Sequence, residues 1–233
     1  MNIVAVAFCP QPPLLVPAVS AGEQVAVRAP ALAAVRWLCA PPVQDIVVLG
    51  AADEAQVFPP GTAGSFVGYG GDCALRLPGG PARTGDPLPL SLAVGAWLLG
   101  AAGCAAATGI SCGGDGAMPP WPEGKGAGLA PTGLLVMGDG SARRTEKAPG
   151  WLDERAAGYD AGVSAALAAG DPAMLAVAAR PPLGAELLAA GAPAWLAASR
   201  LLSGRLWSAG VSYDEAPYGV GYLVATWSIR DDA

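Results

Sequence analysis

Short apolar runs alternate with longer segments of helical spacing through most of the chain. Apolar runs rich in β-branched residues and closed by Pro or Gly predict strands, whereas apolar residues recurring every three or four positions predict helices. These patterns predict strands at residues 2–9 and 45–49, near 65–69, at 73–77, near 105–111, and at 133–137, 206–213 and 221–227. They predict helices at residues 30–39, after Pro89, and at 152–169, from 171, 183–190 and 194–202.

The order of these elements predicts the fold class. Strands alternating with helices indicate an α/β protein of three α/β/α layers around a central sheet that is mixed but mostly parallel. The last two strands bracket the turn DEAPYG and would form the antiparallel part. The 233 residues suit a single domain over 1–233, without a repeat or a linker between domains.

Composition excludes several classes of partner. Hydrophobic residues make up 53 % and charged residues 14 %, which indicates a packed globular domain. The net charge of −6 argues against nucleic acid, because binding to phosphates needs concentrated positive charge. The apolar N-terminus has no basic residue before Arg28, and the uncharged stretch 87–114 has no flanking Lys or Arg. We therefore expect no membrane association and a cytoplasmic location.

The five cysteines form no CxxC pair, and we expect them to be reduced and to pack as small hydrophobic residues. Histidine is absent from the chain, which excludes a serine triad. No other side chain titrates near neutrality without a large pKa shift. No nucleophile elbow, phosphate-binding loop or HExxH motif is present.

Three stretches at the ends of predicted strands carry a family resemblance: CPQPPLLVPAV at 9–19, LLVMGDGSARR at 134–144 and YDEAPYGVGYLVA at 213–225. In this order they resemble the PHPPLLVPEV opening, the SGDLSHR turn and the YEGPFGVGY ending of the catalytic subunits of class III extradiol ring-cleavage dioxygenases and their MEMO-like relatives. VVLGAAD at 47–53 resembles the family's VVISPH, so the similarity covers the chain nearly end to end.

This resemblance implies an active site that has lost its metal. The family holds ferrous iron with two histidines and a glutamate, and a third histidine is the acid/base. The iron histidines match Gln11 and Ala52, the acid/base histidine matches Ala142, and only Glu215, beside Asp214, remains as an acidic ligand. Alanine has no donor atom and a glutamine amide binds iron weakly. The resemblance therefore implies no iron cofactor and no ring cleavage.

Our leading hypothesis is a non-catalytic protein that binds a small anion or a protein partner, the latter including a second copy of the chain. The expected pocket residues are Gln11, Ala52, Asp53, Asp139, Ser141, Ala142, Arg143 and Glu215. One alternative is a metal-dependent oxidoreductase or hydrolase that binds Mg²⁺ or Mn²⁺ through a rebuilt set of ligands: Cys9, Asp53, Glu54, Asp139 and Glu215. Another is a structural subunit that accompanies a catalytic chain.

The stretch GDGSARRTEK at 138–147 bears on the anion hypothesis. Arg143, Arg144 and Lys147 follow a strand and a glycine-rich turn, where backbone N–H groups and a guanidinium can bind a carboxylate or phosphate. The alternative is a structural network in which these three basic residues pair with nearby acids: Asp139, Glu146 and Asp153. Sequence alone leaves both interpretations open.

Overall fold

The computed structural model describes residues 2–83, 85–121 and 130–230. Its strands are β1 Ile3–Cys9, β2 Asp45–Ala51, β3 Gln56–Phe58, β4 Ala63–Ser65, β5 Ala74–Arg76, β6 Thr108–Cys112, β7 Thr132–Met137, β8 Trp207–Glu215 and β9 Tyr222–Ile229. Its helices are α1 Arg28–Leu38, α2 Leu90–Ala102, α3 Arg155–Ala169, α4 Pro172–Ala178, α5 Leu183–Glu186 and α6 Ala192–Leu202.

One seven-stranded sheet forms the middle layer, in the order β3-β6-β2-β7-β1-β9-β8. The four inner strands β6, β2, β7 and β1 are parallel, while β3, β9 and β8 each run antiparallel to a neighbour. Helices α1 and α2 pack on one face, and α3, α4 and α6 pack on the other. The predicted three-layer α/β fold with a mixed sheet is confirmed.

Burial on both faces explains why the central strands are continuously apolar. Every residue of β6 and β7 is buried, as expected for parallel strands covered by helices on both sides. Helix α2 is apolar around most of its circumference, and eight of its thirteen residues are buried. The uncharged stretch 87–114 is thus a core helix followed by a core strand, and none of the described helices has the length and apolar character needed to cross a membrane.

The predicted elements and the structure differ at three places. The strand expected near 65–69 is wrong: β4 ends at Ser65, and the chain then makes a 3₁₀ turn that Gly70 ends at φ 79°. The short strand β3 was not predicted, and it lies directly before Pro59 and Pro60. The helix expected at 183–190 stops after one turn, since Leu188 adopts φ 54°. The sequence pattern predicts no helix or strand at 113–131, and residues 122–129 of this stretch lie outside the described residues.

The expectation of five reduced cysteines is also wrong. Cys39, just after α1, and Cys104, just after α2, form a disulfide with their Cα atoms 5.9 Å apart. The two helices pack side by side, which brings together cysteines separated by 65 positions in the chain. Cys9, Cys73 and Cys112 are free, and burial raises the pKa of Cys112 to about 12. The buried Cys9 and Cys112 do pack as small hydrophobic residues.

Candidate functional site

The candidate site lies where the four parallel strands end. Strands β1, β2, β6 and β7 share one carboxyl edge, and because β9 is antiparallel to β1, β9 begins and β8 ends at this same edge. Loops at the carboxyl edge of a parallel sheet are where ligand sites form in α/β proteins. The motifs that carry the family resemblance all emerge here.

Strand register aligns five positions at this edge. The last register pairs of the relevant strands are Leu49 with Val136, Cys9 with Met137, Phe8 with Ala225, and Glu215 with Tyr222. Continuing these pairings by two or three residues brings five positions level on consecutive strands, namely Ala52, Asp139, Gln11, Tyr222 and Glu215. We call these five residues the edge row.

The edge row also shares one face of the sheet. Side chains alternate between faces along a strand, so residues two apart point the same way. Cys9, Met137 and Tyr222 all pack into the core on the α1 and α2 side. Gln11 and Asp139 follow two positions after Cys9 and Met137, which assigns them to this side as well. The register therefore brings three positions matched to family iron ligands, Gln11, Ala52 and Glu215, to one row on one face.

Gln11 and Asp139 touch directly at the middle of the row. The backbone N–H of Gln11 donates to Asp139 Oδ1 at 2.7 Å. Gln11 is only 7 % exposed, and its side-chain Oε1 is buried with no hydrogen-bond partner in the described part of the chain. Pro10, Pro12 and Pro13 flank Gln11 and restrict the backbone on both sides of it. A fixed, buried acceptor without a donor is rare in folded proteins.

Asp139 has a pKa raised from 3.8 to about 7. Burial is the main cause, since it disfavours the charged carboxylate, and the N–H of Gln11 opposes it in part. The Asp139 carbonyl also accepts the Gly191 N–H at 2.8 Å, which holds the backbone in place. The pKa of Asp139 is therefore shifted far enough for this carboxyl to titrate near neutrality in a chain without histidine.

Tyr222 joins the middle of the row, although the sequence motifs assigned it no role in the pocket. Tyr222 is 3 % exposed, and burial and then the negative charge of Asp139 raise its pKa. Its ring packs against Tyr218 with centroids 6.3 Å apart. The sequence shows this tyrosine at the end of the GVGY motif. Only the pairing of Tyr222 with Glu215 across β9 and β8 shows that Tyr222 belongs to the edge row.

The two ends of the row are less buried than its middle, with Ala52 half-buried and Glu215 exposed. Ala52 donates its N–H to the Cys112 carbonyl at 3.0 Å, and the neighbouring Asp53 and Glu54 are exposed to solvent. Glu215 is exposed as well and accepts a hydrogen bond from Tyr213 Oη at 3.2 Å. Four strand spacings separate β2 from β8, which is roughly 19 Å. Asp53 and Glu215 therefore do not meet at one point.

Ser141 serves to anchor the turn after β7. Its N–H and Oγ donate to Asp160 Oδ1 and Oδ2, both at 2.7 Å, and Arg144 Nη1 lies 3.0 Å from Oδ2. Asp160 is a buried residue of α3, 1 % exposed. A Cβ atom on Gly140 or Gly221 would come within 2.7 Å or 2.5 Å of its carboxylate. Asp160 organises this turn, and its position within a helix gave no sequence signal.

The acids that pair with this turn differ from those of the predicted structural network, and anion binding by its basic residues stays a prediction. Arg144 pairs with Asp160, and Asp153 pairs with Arg155 at 2.8 Å, so the predicted structural network has the wrong partners. Arg143 Nη1 donates to the Gly150 carbonyl, while its buried Nε has no partner in the described residues. The Ala142 N–H donates to the Leu187 carbonyl, and the Ala142 carbonyl accepts the Gly150 N–H. Ala142 and Arg143 are thus tied to segment 148–150 and the end of α5.

A cavity of about 570 Å³ lies between this turn and the β8–β9 turn. It is lined by Thr145, Glu146, Lys147, Pro217, Tyr218 and Gly219. Gly219 has φ 73°, and a Cβ atom there would come within 2.6 Å of Thr145 Oγ1 and of Ala148 Cβ. The Arg144 N–H donates to the Gly219 carbonyl at 3.0 Å. Two sequence motifs separated by about seventy residues therefore form one cavity, and Tyr218 connects it to Tyr222 of the row.

Within residues 2–83, 85–121 and 130–230, no three Cys, Asp or Glu side chains are grouped closely enough to hold a metal ion. Cys9 is directed to the Ala31 carbonyl, with Sγ 3.9 Å from the oxygen.

Compared with known proteins, the chain matches no family model and no curated protein sequence at a significant level. The similarity to the extradiol dioxygenases accordingly rests on the motifs quoted above.

Proposed function

We propose that this protein is a histidine-free relative of the class III extradiol dioxygenase catalytic subunits that binds a small polar ligand at the edge row without iron. The resemblance is supported by the geometry of three matched positions. Gln11, Ala52 and Glu215 are far apart in the chain, yet register brings them to one row on one face of the sheet.

The residues of the row do not fit the family's iron. Ala52 offers no donor atom, Gln11 offers a neutral amide, and Glu215 is exposed at the far end. A ferrous site of this type needs two imidazoles and a carboxylate on adjacent faces of the ion. We therefore assign no ring-cleavage step to this chain, and the observed geometry does not favour a rebuilt carboxylate site for Mg²⁺ or Mn²⁺.

The single observation that carries the binding proposal is the buried, unpartnered Oε1 of Gln11 beside Asp139. Leaving a buried acceptor unsatisfied costs about 1–3 kcal/mol, which a ligand hydroxyl or amine recovers by donating to it. Asp139, with a pKa of about 7, can accept a proton or donate one at neutral pH. The middle of the row thus favours a ligand that carries a hydrogen-bond donor.

The neighbouring cavity indicates the other part of the ligand. Lys147 and Thr145 can bind a carboxylate or phosphate, and Tyr218 provides an aromatic wall. Glu146 lines the same cavity, so its charge offsets that of Lys147 and an anionic group alone gains little. Gln11 does not line this cavity, so the proposed small hydroxy acid has its acidic group at Lys147 and extends beyond the cavity, past Tyr218 and Tyr222, to bring its hydroxyl to Gln11. This narrows the expected small anion to a hydroxycarboxylate.

A thermal-shift and calorimetric comparison of hydroxybenzoates with benzoate tests this proposal. We expect a hydroxybenzoate to raise the melting temperature and bind at least about ten-fold more tightly than benzoate, since the lost hydrogen bond leaves Gln11 unpaired. Gln11→Leu abolishes that preference, whereas Gln44→Leu, at an exposed glutamine, retains it. Equal affinity for the two acids, or an unchanged preference in Gln11→Leu, refutes the proposed role of Gln11.

The loss of iron chemistry has its own test. Protein purified without chelators and then supplied with Fe²⁺ and a catechol under air should consume no dioxygen above a buffer control. Stoichiometric iron in the purified protein, together with ring cleavage, would overturn the proposal.

A cytoplasmic location is also proposed. The three free thiols agree with it, whereas the Cys39–Cys104 disulfide favours an oxidising compartment. Cell fractionation distinguishes the two.

A further inference from the structure

Helix α1 holds the chain on both sides of Gln11. Cys9, two residues before Gln11, lies with its Sγ 3.9 Å from the carbonyl oxygen of Ala31 in α1. The carbonyls of residues 14 and 15, which follow Gln11, accept hydrogen bonds from Arg28, the first residue of α1. Arg28 and Ala31 are about one turn apart, so the same side of α1 contacts both flanks of Gln11.

Arg28 makes four hydrogen bonds to the loop that joins β1 to α1. Its Nε donates to the Leu15 carbonyl at 2.7 Å, and its Nη2 donates to the Leu14 carbonyl at 3.0 Å. Nη2 also donates to Ser20 Oγ at 2.6 Å, and Nη1 donates to the Glu23 carbonyl at 3.0 Å. One guanidinium therefore ties three separate parts of this loop to the start of α1.

Two of these carbonyls belong to the turn that begins just after Gln11. The chain forms a 3₁₀ turn at Pro13–Leu15, in which the Leu15 N–H donates to the Pro12 carbonyl at 3.0 Å. The last carbonyls of a helical turn have no partner within it, and here Arg28 provides one. The two prolines that follow Gln11 have fixed φ angles, so little backbone freedom separates the turn from Gln11.

The charge of Arg28 does not explain its position. Within the described residues, no carboxylate forms an ion pair with Arg28. A cation at the first residue of a helix also lies at the positive end of the helix dipole, which is unfavourable. The planar guanidinium explains the position better, because it donates to four acceptors in fixed directions and a lysine ammonium cannot reproduce this geometry.

We infer that Arg28 is a positioning residue that sets the preference of the edge row for a ligand with a hydroxyl group. This inference rests on the proposed function, since the acceptor that Arg28 fixes is the Oε1 of Gln11. Arg28 acts through the loop, and we assign it no contact with the ligand. If the turn shifts, Oε1 moves away from the line of the ligand O–H, and a hydrogen bond weakens steeply as its angle falls.

The same fixation can be observed without a ligand. The Gln11 N–H donates to Asp139 Oδ1 at 2.7 Å, and the turn held by Arg28 begins directly after Gln11. Releasing the turn should open this hydrogen bond more often, so that the Gln11 amide proton exchanges faster with solvent. Leu135, in the buried strand β7, reports the stability of the whole fold. The ratio of the two exchange rates therefore separates local release from global destabilisation.

Arg28→Lys keeps the charge but loses the planar fork, and Arg36→Lys is the matched control at an exposed arginine of the same helix. In Arg28→Lys we expect the Gln11 amide to exchange about ten-fold faster relative to Leu135. The preference for a hydroxybenzoate over benzoate should fall to about three-fold or less. The affinity for benzoate should change little, because its carboxylate is assigned to Lys147. Arg36→Lys should match the wild type in all three measurements.

Ser20→Ala removes one acceptor of Arg28 and serves as the milder variant if Arg28→Lys fails to fold, with Ser203→Ala as the control at an exposed serine. It should change the exchange ratio and the preference in the same direction by smaller factors.

The two proposals fail in different ways. If Arg28→Lys and Ser20→Ala both keep the wild-type preference, the inference is overturned while the proposed function stands. Faster exchange at Gln11 with an unchanged preference also overturns it, because Arg28 then has only a structural role. A wild-type protein without any preference for the hydroxyl overturns the proposed function, and the role of Arg28 in specificity fails with it.

Discussion

The middle and the ends of the edge row share one level of the sheet but differ in chemistry. In the middle, Gln11, Asp139 and Tyr222 are connected and largely withdrawn from water, and the pKa values of Asp139 and Tyr222 are raised. At the ends, Glu215 and Asp53, the residue that follows Ala52, are exposed. Alignment on a sheet edge is thus not sufficient to make a site, because burial determines which of the aligned groups acquires unusual chemistry.

The largest expected effect comes from the residue that holds the middle in place. Asp160→Ala removes a carboxylate that accepts hydrogen bonds from the Ser141 N–H, the Ser141 hydroxyl and Arg144. Breaking a buried charged network leaves the remaining partners unsatisfied, and we expect a loss of about 3–5 kcal/mol in the free energy of unfolding. Urea denaturation measures it. A loss no larger than that of Asp53→Ala would contradict the anchoring role of Asp160.

Removing the disulfide should lower the stability of the whole fold without changing the titration of Asp139 in the edge row. Cys39→Ala with Cys104→Ala releases a constraint that spans 65 positions, and we expect a loss of about 2–4 kcal/mol. The pH dependence described next should stay unchanged, because the disulfide joins α1 and α2 and touches no residue of the row. Cys73→Ala, at a free thiol, is the control, and denaturation with and without reductant gives an independent reading.

Asp139 should make stability depend on pH in an unusual direction. Its folded-state pKa of about 7 lies above the ordinary 3.8, so the folded protein binds this proton more tightly than the unfolded chain. The contribution of Asp139 to stability is therefore most favourable below about pH 4 and falls as the pH rises to about 7. Other carboxylates can mask this trend, so the comparison is with Asp139→Asn, which cannot ionise.

We expect the stability of the wild type relative to Asp139→Asn to fall by about 1–3 kcal/mol between about pH 5 and pH 8. Urea denaturation of both proteins at each pH measures the difference. A difference that stays constant, or that grows in favour of the wild type as the pH rises, would show that Asp139 is an ordinary carboxylate.

The smallest effects are expected at the ends of the row. Asp53→Asn and Glu215→Gln change exposed carboxylates, and each should alter the free energy of unfolding by no more than about 0.5 kcal/mol. Neither should change the affinity for a hydroxybenzoate. If either substitution removes ligand binding, the site extends along the whole row and the contrast between middle and ends is wrong.

The strands and several site residues could be predicted from the sequence. The remaining features depend on how the strands pair and on which residues are buried, and only the structure shows these. Apolar runs located the strands, and the motifs located Gln11, Ala52 and Glu215 at strand ends. The level at which these residues align depends on hydrogen-bond register, which a single sequence does not encode locally. The role of Asp160 and the pKa of Asp139 depend on neighbours distant in the chain, and the disulfide depends on the packing of α1 against α2.

The most direct test of the central claim is a ¹³C NMR titration of the Asp139 carboxyl carbon, assigned by comparison with the spectrum of Asp139→Asn. We predict a midpoint near pH 7 for this carboxyl. We also expect that midpoint to move when a hydroxybenzoate binds. A midpoint close to 3.8, the ordinary value for aspartate, would contradict the claim that burial makes Asp139 the group that titrates near neutrality in a chain without histidine.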